Sequence, residues 1–171
     1  MNCDIARVFH TIGQGAFYTE RHHDININVV YDCGEWKSSH PSGAKLVKNS
    51  FPKGASIDIL FISHFDFDHV SLIETLKTEF TVKTCIMPLL HPNESAILLS
   101  YYKTIENKIS EAIIRDPHEF FGKSTKIIYI ESEYEENADP IELTQLNDNQ
   151  RIKSGKPIKL KDWIYVPYRL C

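Results

Sequence analysis

Two imidazoles and two carboxylates, His64, Asp66, Asp68 and His69, fall within six consecutive positions of the stretch "FISHFDFDHV". Imidazole nitrogen and carboxylate oxygen are donors for divalent transition ions, and a mixed set of this kind suits zinc, manganese or iron. The residues before the set, "SIDILF", read as a buried strand, and from Val70 onward Leu72, Ile73, Leu76 and Phe80 recur at helical spacing. The four residues therefore stand where a strand ends and a helix begins. In α/β folds that carboxyl edge of the sheet is a common ligand site. His64, Asp66 and Asp68, at alternating positions, can converge there, with His69 reaching in from the helix start. Two ions held side by side would bind a phosphate or carbonyl oxygen and generate hydroxide near neutral pH. A plain polar turn in which Asp68 caps the helix uses one of the four residues and leaves the others solvated. Four ligand-type side chains in so short a span favour metal.

The elements around the set are legible from hydropathy. Strands are expected at roughly 5–11, 16–20 and 25–31, where "DININVVYD" alternates polar and apolar residues. Gly13, Gly15 and Gly34 are expected to supply positive φ at the strand ends. Further strands are read in "SIDILFIS", "VKTCIMP" and "TKIIYIES". A long helical stretch over about 93–121 has Ile97, Leu98, Tyr101, Ile105, Ile109, Ile113 and Ile114 on one face and breaks near Pro117. "ESEYEENADP" reads as a solvated acidic loop and "PIKLKDWIYVPYRL" as a final strand or strand pair. Strand-helix alternation after an antiparallel opening gives an α/β chain with a mixed sheet, an α+β arrangement, in one domain over residues 1–171.

Three blocks in order, "HTIGQGAFY", "VVYDCGE" and "FISHFDFDHV", resemble the start of a metallo-β-lactamase-fold hydrolase over roughly residues 5–90. The resemblance implies an αββα sandwich. Asp66 stands where most of that family has histidine. An Asp there, with "GQG" upstream, looks most like the hydrolase domain of bacterial DNA-uptake competence proteins and their soluble relatives, a branch associated with nuclease or phosphodiesterase chemistry. By this resemblance His64 and Asp66 serve one metal and Asp68 and His69 a second. Asp68 also orients the attacking water as the catalytic residue, and Asp32 hydrogen-bonds near the site without ligating. The cofactors implied are up to two divalent ions, zinc or manganese, and a carboxylate in place of imidazole shifts the preference towards manganese or magnesium.

Family members complete their site with ligands from a second half of the fold, whereas "WIYVPYRLC" resembles the strand before those motifs. The fold is accordingly expected to be incomplete. His91, after a strand, and His118 are the two candidates to substitute for the missing ligands, although "HPNES" reads at least as easily as a helix start capped by Asn93. His118 beside Pro117 reads as a surface residue, His22 and His23 as a solvated hairpin turn, and His10 and His40 belong to early strands or loops. Gln14 between its glycines reads as a tight turn ahead of an anion nest. Trp163, Tyr165 and Tyr168 form either a stacking surface for bases or a core face waiting for a partner.

Composition narrows the rest. The net charge is -4, from 23 acidic and 19 basic residues, and the nearest approach to a basic stretch is Lys153, Lys156, Lys159 and Lys161. That gives no evident nucleic-acid or membrane footprint. The opening residues lack a signal-peptide pattern and no apolar run reaches membrane-span length, so a cytoplasmic protein is expected. Cys3, Cys33, Cys85 and Cys171 are scattered, without a C-x-x-C pair, and are expected to be reduced. Two functions compete: a metal-dependent hydrolase of phosphodiesters, nucleic acid among them, and a non-catalytic or split module of the same fold acting through partner contacts. A homodimer or second-half partner packing on residues 157–170 is expected in either case. A β-lactamase proper is the least supported, for want of an export signal.

Overall fold

The computed structural model describes residues 4–36 and 42–169. Three strands open the chain, β1 (Ile5–Phe9), β2 (Gly15–His22) and β3 (Ile27–Glu35), followed by α1 (Ser42–Asn49). Next come β4 (Ser56–Ile57), β5 (Ile59–Phe61), α2 (Phe67–Val70), α3 (Ile73–Glu79), β6 (Thr81–Val82) and β7 (Thr84–Pro88). Three helices follow, α4 (Pro92–Thr104), α5 (Lys108–Arg115) and α6 (Pro117–Phe121), then β8 (Lys126–Tyr134). The last part holds β9 (Ile141–Glu142), a 3₁₀ turn (Leu143–Gln145), β10 (Gln150–Ser154), β11 (Ile158–Leu160) and β12 (Trp163–Tyr165).

A seven-stranded sheet in the order β1-β2-β3-β5-β7-β8-β10 organises these elements. Its first three strands are antiparallel and the remainder run parallel. Neighbouring residues on each strand point to opposite faces. Val30, Leu60, Cys85 and Ile127 join one core, with Val47 of α1, Ile73 and Leu76 of α3, Tyr102 of α4 and Ile113 of α5. Val29, Ile59, Ile86 and Ile128 join the other, with Leu143, Leu146, Ile158 and Tyr165. Helices therefore cover one face, and a small sheet in the order β12-β11-β9 covers the other. The expected mixed α+β sheet is present, with near-continuous apolar runs in its central parallel strands because both faces are buried.

Several expectations need correction. The long helix is broken not only before Pro117 but also at Glu106, which takes φ 58 ahead of the Asn107 cap. Leu98, Ile109, Ile113 and Ile114 face the core as expected, but in α4 the inward face takes in Tyr102, which is buried, while Ile97, Tyr101 and Ile105 are exposed. The acidic stretch is no solvated loop at its start. β8 runs to Tyr134, and Glu133 and Glu135 pair with Lys153 and Lys156 at 2.8 and 3.3 Å. Those lysines, with Lys159 on Glu142 at 2.8 Å, are thereby ion-paired. In segment 157–170, Ile158 and Tyr165 are buried against the main sheet, while Ile164, Val166 and Tyr168 are exposed.

His22 is the largest surprise among the histidines, because β2 continues through it and leaves it 1% exposed. It belongs to a buried polar cluster. Glu20 Oε2 accepts from Arg7 Nε at 2.9 Å and from the Tyr18 hydroxyl at 3.1 Å. Glu20 Oε1 lies 2.6 Å from His22 Nε2 and 3.3 Å from the Tyr165 hydroxyl. Trp163 closes the cluster, edge-on to His22 at 4.4 Å. Burial pushes the Glu20 carboxyl up, but the bonds from His22, Arg7 and Tyr18 together outweigh it and hold the carboxyl below its ordinary value. Cys33 and Cys85 are buried free thiols; Cys3, Cys171 and His40 lie outside the described residues. Among the described residues no helix is long and apolar enough to cross a membrane.

Candidate metal centre

Backbone geometry places the four residues before any side chain acts. In the β2–β3 pairing, Phe17 faces Cys33 and Tyr18 faces Tyr31, so Asp32 is an unpaired bulge residue with φ 50. A bulge turns a side chain out of the strand's alternation. Aspartate tolerates the left-handed region better than most residues. The residue with positive φ in "DCG" is thus Asp32 and not Gly34. Gly34 serves close approach instead: a Cβ there would lie 2.6 Å from the carbonyl carbon and oxygen of Asp68. Gly15 is pressed in the same way, with the Asp68 carbonyl oxygen 2.9 Å from its would-be Cβ. The Cys33 carbonyl accepts from Leu72 N–H at 2.9 Å, and Ser71 Oγ accepts from Glu35 N–H at 2.8 Å. These contacts lay the α2 backbone directly on the ends of β2 and β3. Gln14 forms a turn whose carbonyl accepts from Trp36 N–H at 2.8 Å.

Asp32 is the hub of the side chains. Its Oδ1 accepts from Ser63 N–H at 2.8 Å, and its Oδ2 accepts from Ser63 Oγ at 2.6 Å and from His69 Nδ1 at 2.9 Å. A carboxylate oxygen has no hydrogen to give, so His69 carries a proton on Nδ1, and the neutral ring that a metal requires has its lone pair on Nε2. The same accounting reaches His64. The single Ser63 hydroxyl hydrogen is directed to Asp32, so His64 Nδ1, 2.8 Å from that hydroxyl, supplies its own. Its lone pair is then also on Nε2. The two rings lie side by side, 3.8 Å between centroids.

Each Nε2 faces a carboxylate. His64 Nε2 lies 3.5 Å from Asp66 Oδ2, and His69 Nε2 lies 3.9 Å from Asp68 Oδ2. Donors each about 2.1 Å from one zinc-like ion stand up to roughly 4 Å apart, so both separations fall within the bite of such an ion. Among the described residues, however, no three His, Cys, Asp or Glu side chains gather into a ready ligand group. The donor chemistry fits a divalent ion as two adjacent pairs. The pairs differ in setting: the His69 and Asp68 side chains are each 22% exposed, against 46% and 61% for His64 and Asp66.

Tyr102 is a functional candidate that the sequence reading missed. Its hydroxyl donates to Asp66 Oδ1 at 2.9 Å, leaving Oδ2 towards His64. Burial and then the Asp66 carboxylate push the hydroxyl up, so it remains a donor across the neutral range. Its only advance signal was a helical apolar stripe that included its neighbour Tyr101. Asp66 precedes α2 as its N-cap residue, without a side-chain cap bond, and Asp68 lies inside that helix, so Asp68 is not the cap.

The substitute ligands are placed elsewhere. His91, in place of Asn93, becomes the N-cap residue of α4, and its N–H donates to Glu94 Oε2 at 2.8 Å. His118 pairs with Asp148 at 3.2 Å. Two hollows flank the centre and share Ser63, Pro88 and Tyr168; one holds His64, Asp66, Tyr102 and Arg169, the other Asp32, Tyr31 and Phe61. No protein-family model matches the chain, and no curated protein matches it at a significant level.

Proposed function

We propose that the chain is a metal-dependent hydrolase of the metallo-β-lactamase type, acting on phosphodiesters, nucleic acid among them. The observation that carries this reading is the common orientation of the two histidines: both Nδ1 atoms are engaged inward and both Nε2 atoms face a carboxylate. Carboxylates that hold a histidine from behind are a regular support for metal ligands. The layer order of helices, large mixed sheet and small sheet also suits three layers of an αββα sandwich.

In this reading His64 and Asp66 hold one zinc or manganese ion and Asp68 and His69 another. A bound ion of this kind supplies a water of near-neutral pKa and a Lewis acid for a phosphoryl oxygen. Asp32 keeps the His69 lone pair outward and, through Ser63, does the same for His64. Tyr102 fixes the rotation of the Asp66 carboxylate. Asp68, recessed beside His69, orients the attacking water. The openness of the His64–Asp66 pair favours a second form of the reading, in which another chain contributes donors to it.

The test is manganese-dependent turnover of bis(p-nitrophenyl) phosphate by the wild type and Asp68→Asn. Loss of about a hundredfold or more is expected, the lower range for a proton-handling group. Equal rates for the two proteins, or no turnover with any divalent ion, would defeat the proposal.

A further inference from the structure

The second hollow encloses about 210 Å³ on the side of Asp32 and Ser63 away from α2. Tyr31, Phe61, Ile86, Ile130 and Tyr165 line it, and Tyr168 stands at its rim. Tyr31 and Phe61 are stacked face to face, 4.8 Å apart and 13° from parallel, and Phe61 meets Tyr165 at 5.9 Å. The rim is held by the chain after β12: Pro167 accepts from Gly155 N–H at 2.9 Å, and Arg169 N–H donates to Ser154 Oγ at 2.9 Å. Tyr168 itself is 64% exposed and shared with the hollow containing His64 and Asp66.

We propose that this hollow seats the nucleobase of a nucleotide ester whose phosphate lies over the His64–His69 centre. The inference rests on the hydrolase reading for its phosphate and on the hollow itself for its base. Size argues for one planar ring system, because drug-sized ligands take roughly 300–1,000 Å³. Chemistry argues for an aromatic one: the walls are stacked rings and branched aliphatics, and every base has a π-face to offer them. Placement argues for a substrate group, since Ser63 and Asp32, which orient the two histidines, also line the hollow.

The test is a titration of adenosine 5′-monophosphate and, separately, ribose 5-phosphate into the protein in magnesium, followed through backbone amides by NMR. The nucleotide is expected to shift the amides of Tyr31, Phe61, Ile86 and Tyr165 saturably, and the base-free sugar phosphate to leave them in place. Tyr168→Ala is expected to weaken nucleotide binding about tenfold, within the range of one base–aromatic stack. Its exposure makes it a mild change to the fold, and the amide spectrum verifies folding. Shifts from ribose 5-phosphate at the same amides, or none from the nucleotide, would overturn the proposal. Turnover of bis(p-nitrophenyl) phosphate without those nucleotide shifts would sink the base seat alone. The shifts without turnover would sink the hydrolase reading and leave a nucleotide-binding hollow.

Discussion

Asp32→Asn isolates the carboxylate that orients both histidines. Asparagine accepts φ 50 about as readily as aspartate, so the bulge has no reason to move. The amide cannot reproduce the hydrogen bonds in either orientation. With its NH₂ at the Oδ2 position it faces two groups that donate to that oxygen, the Ser63 hydroxyl at 2.6 Å and His69 Nδ1 at 2.9 Å. Relief requires His69 to shift its proton to Nε2, removing the lone pair that faces Asp68. With its NH₂ at the Oδ1 position it meets Ser63 N–H, which stands 2.8 Å from that oxygen, and that hydrogen bond is lost. Both arrangements also remove the negative charge behind His69. Loss of such a supporting group weakens metal binding about 10- to 100-fold, equivalent to roughly 1.4–2.8 kcal/mol. Calorimetric titration of manganese into metal-free wild type and variant measures the difference, with circular dichroism confirming equal folding. An affinity within about threefold of wild type in a folded variant would refute the role given to Asp32.

Three other perturbations test different parts of the account. Gly34→Ala sets a Cβ 2.6 Å from the Asp68 backbone, and the overpacking is expected to cost about 1–3 kcal/mol in urea denaturation as α2 is pushed off β3. Tyr102→Phe removes the hydroxyl that holds Asp66 and is expected to weaken manganese binding about tenfold, read by the same calorimetry, with little change in thermal midpoint. Glu20→Gln tests the buried cluster through pH. The Glu20 carboxyl is held below its ordinary value of 4.5, so its charge stabilises the fold above that pH, and the gain is lost as pH falls through the lower folded value. Urea denaturation should find the variant less stable by about 2 kcal/mol at pH 7, with the difference closing towards pH 3; a constant difference would contradict the assignment.

How much of this was legible in the sequence depends on whether a feature is local. The strand-to-helix junction that carries His64 to His69 was readable, because an apolar run followed by helical spacing is a short-range pattern. The antiparallel opening and the parallel strands after it were readable for the same reason. The role of Gly34 was not, since the need for a bare backbone arises only when α2 lands on β3. Asp32 in a bulge was hidden similarly: the bulge is a register shift between two strands. His22 was misread because two adjacent histidines near a turn look solvated, while its burial depends on Trp163 and Tyr165 far along the chain. Tyr102 lost to Tyr101 because a break at Glu106 frees α4 to turn Tyr102, not Tyr101, to the core. β10, with Ile152 as its single inward apolar residue, offered too short an alternation to read.

The most direct test of the account is the metal content of the purified protein, by elemental mass spectrometry after loading with excess zinc or manganese and extensive dialysis against metal-free buffer. About two ions per chain are predicted for the wild type, one for each histidine–carboxylate pair, with loss of the more tightly held ion in His69→Ala. Retention of essentially no ion by folded wild-type protein, or equal retention by His69→Ala, would contradict it.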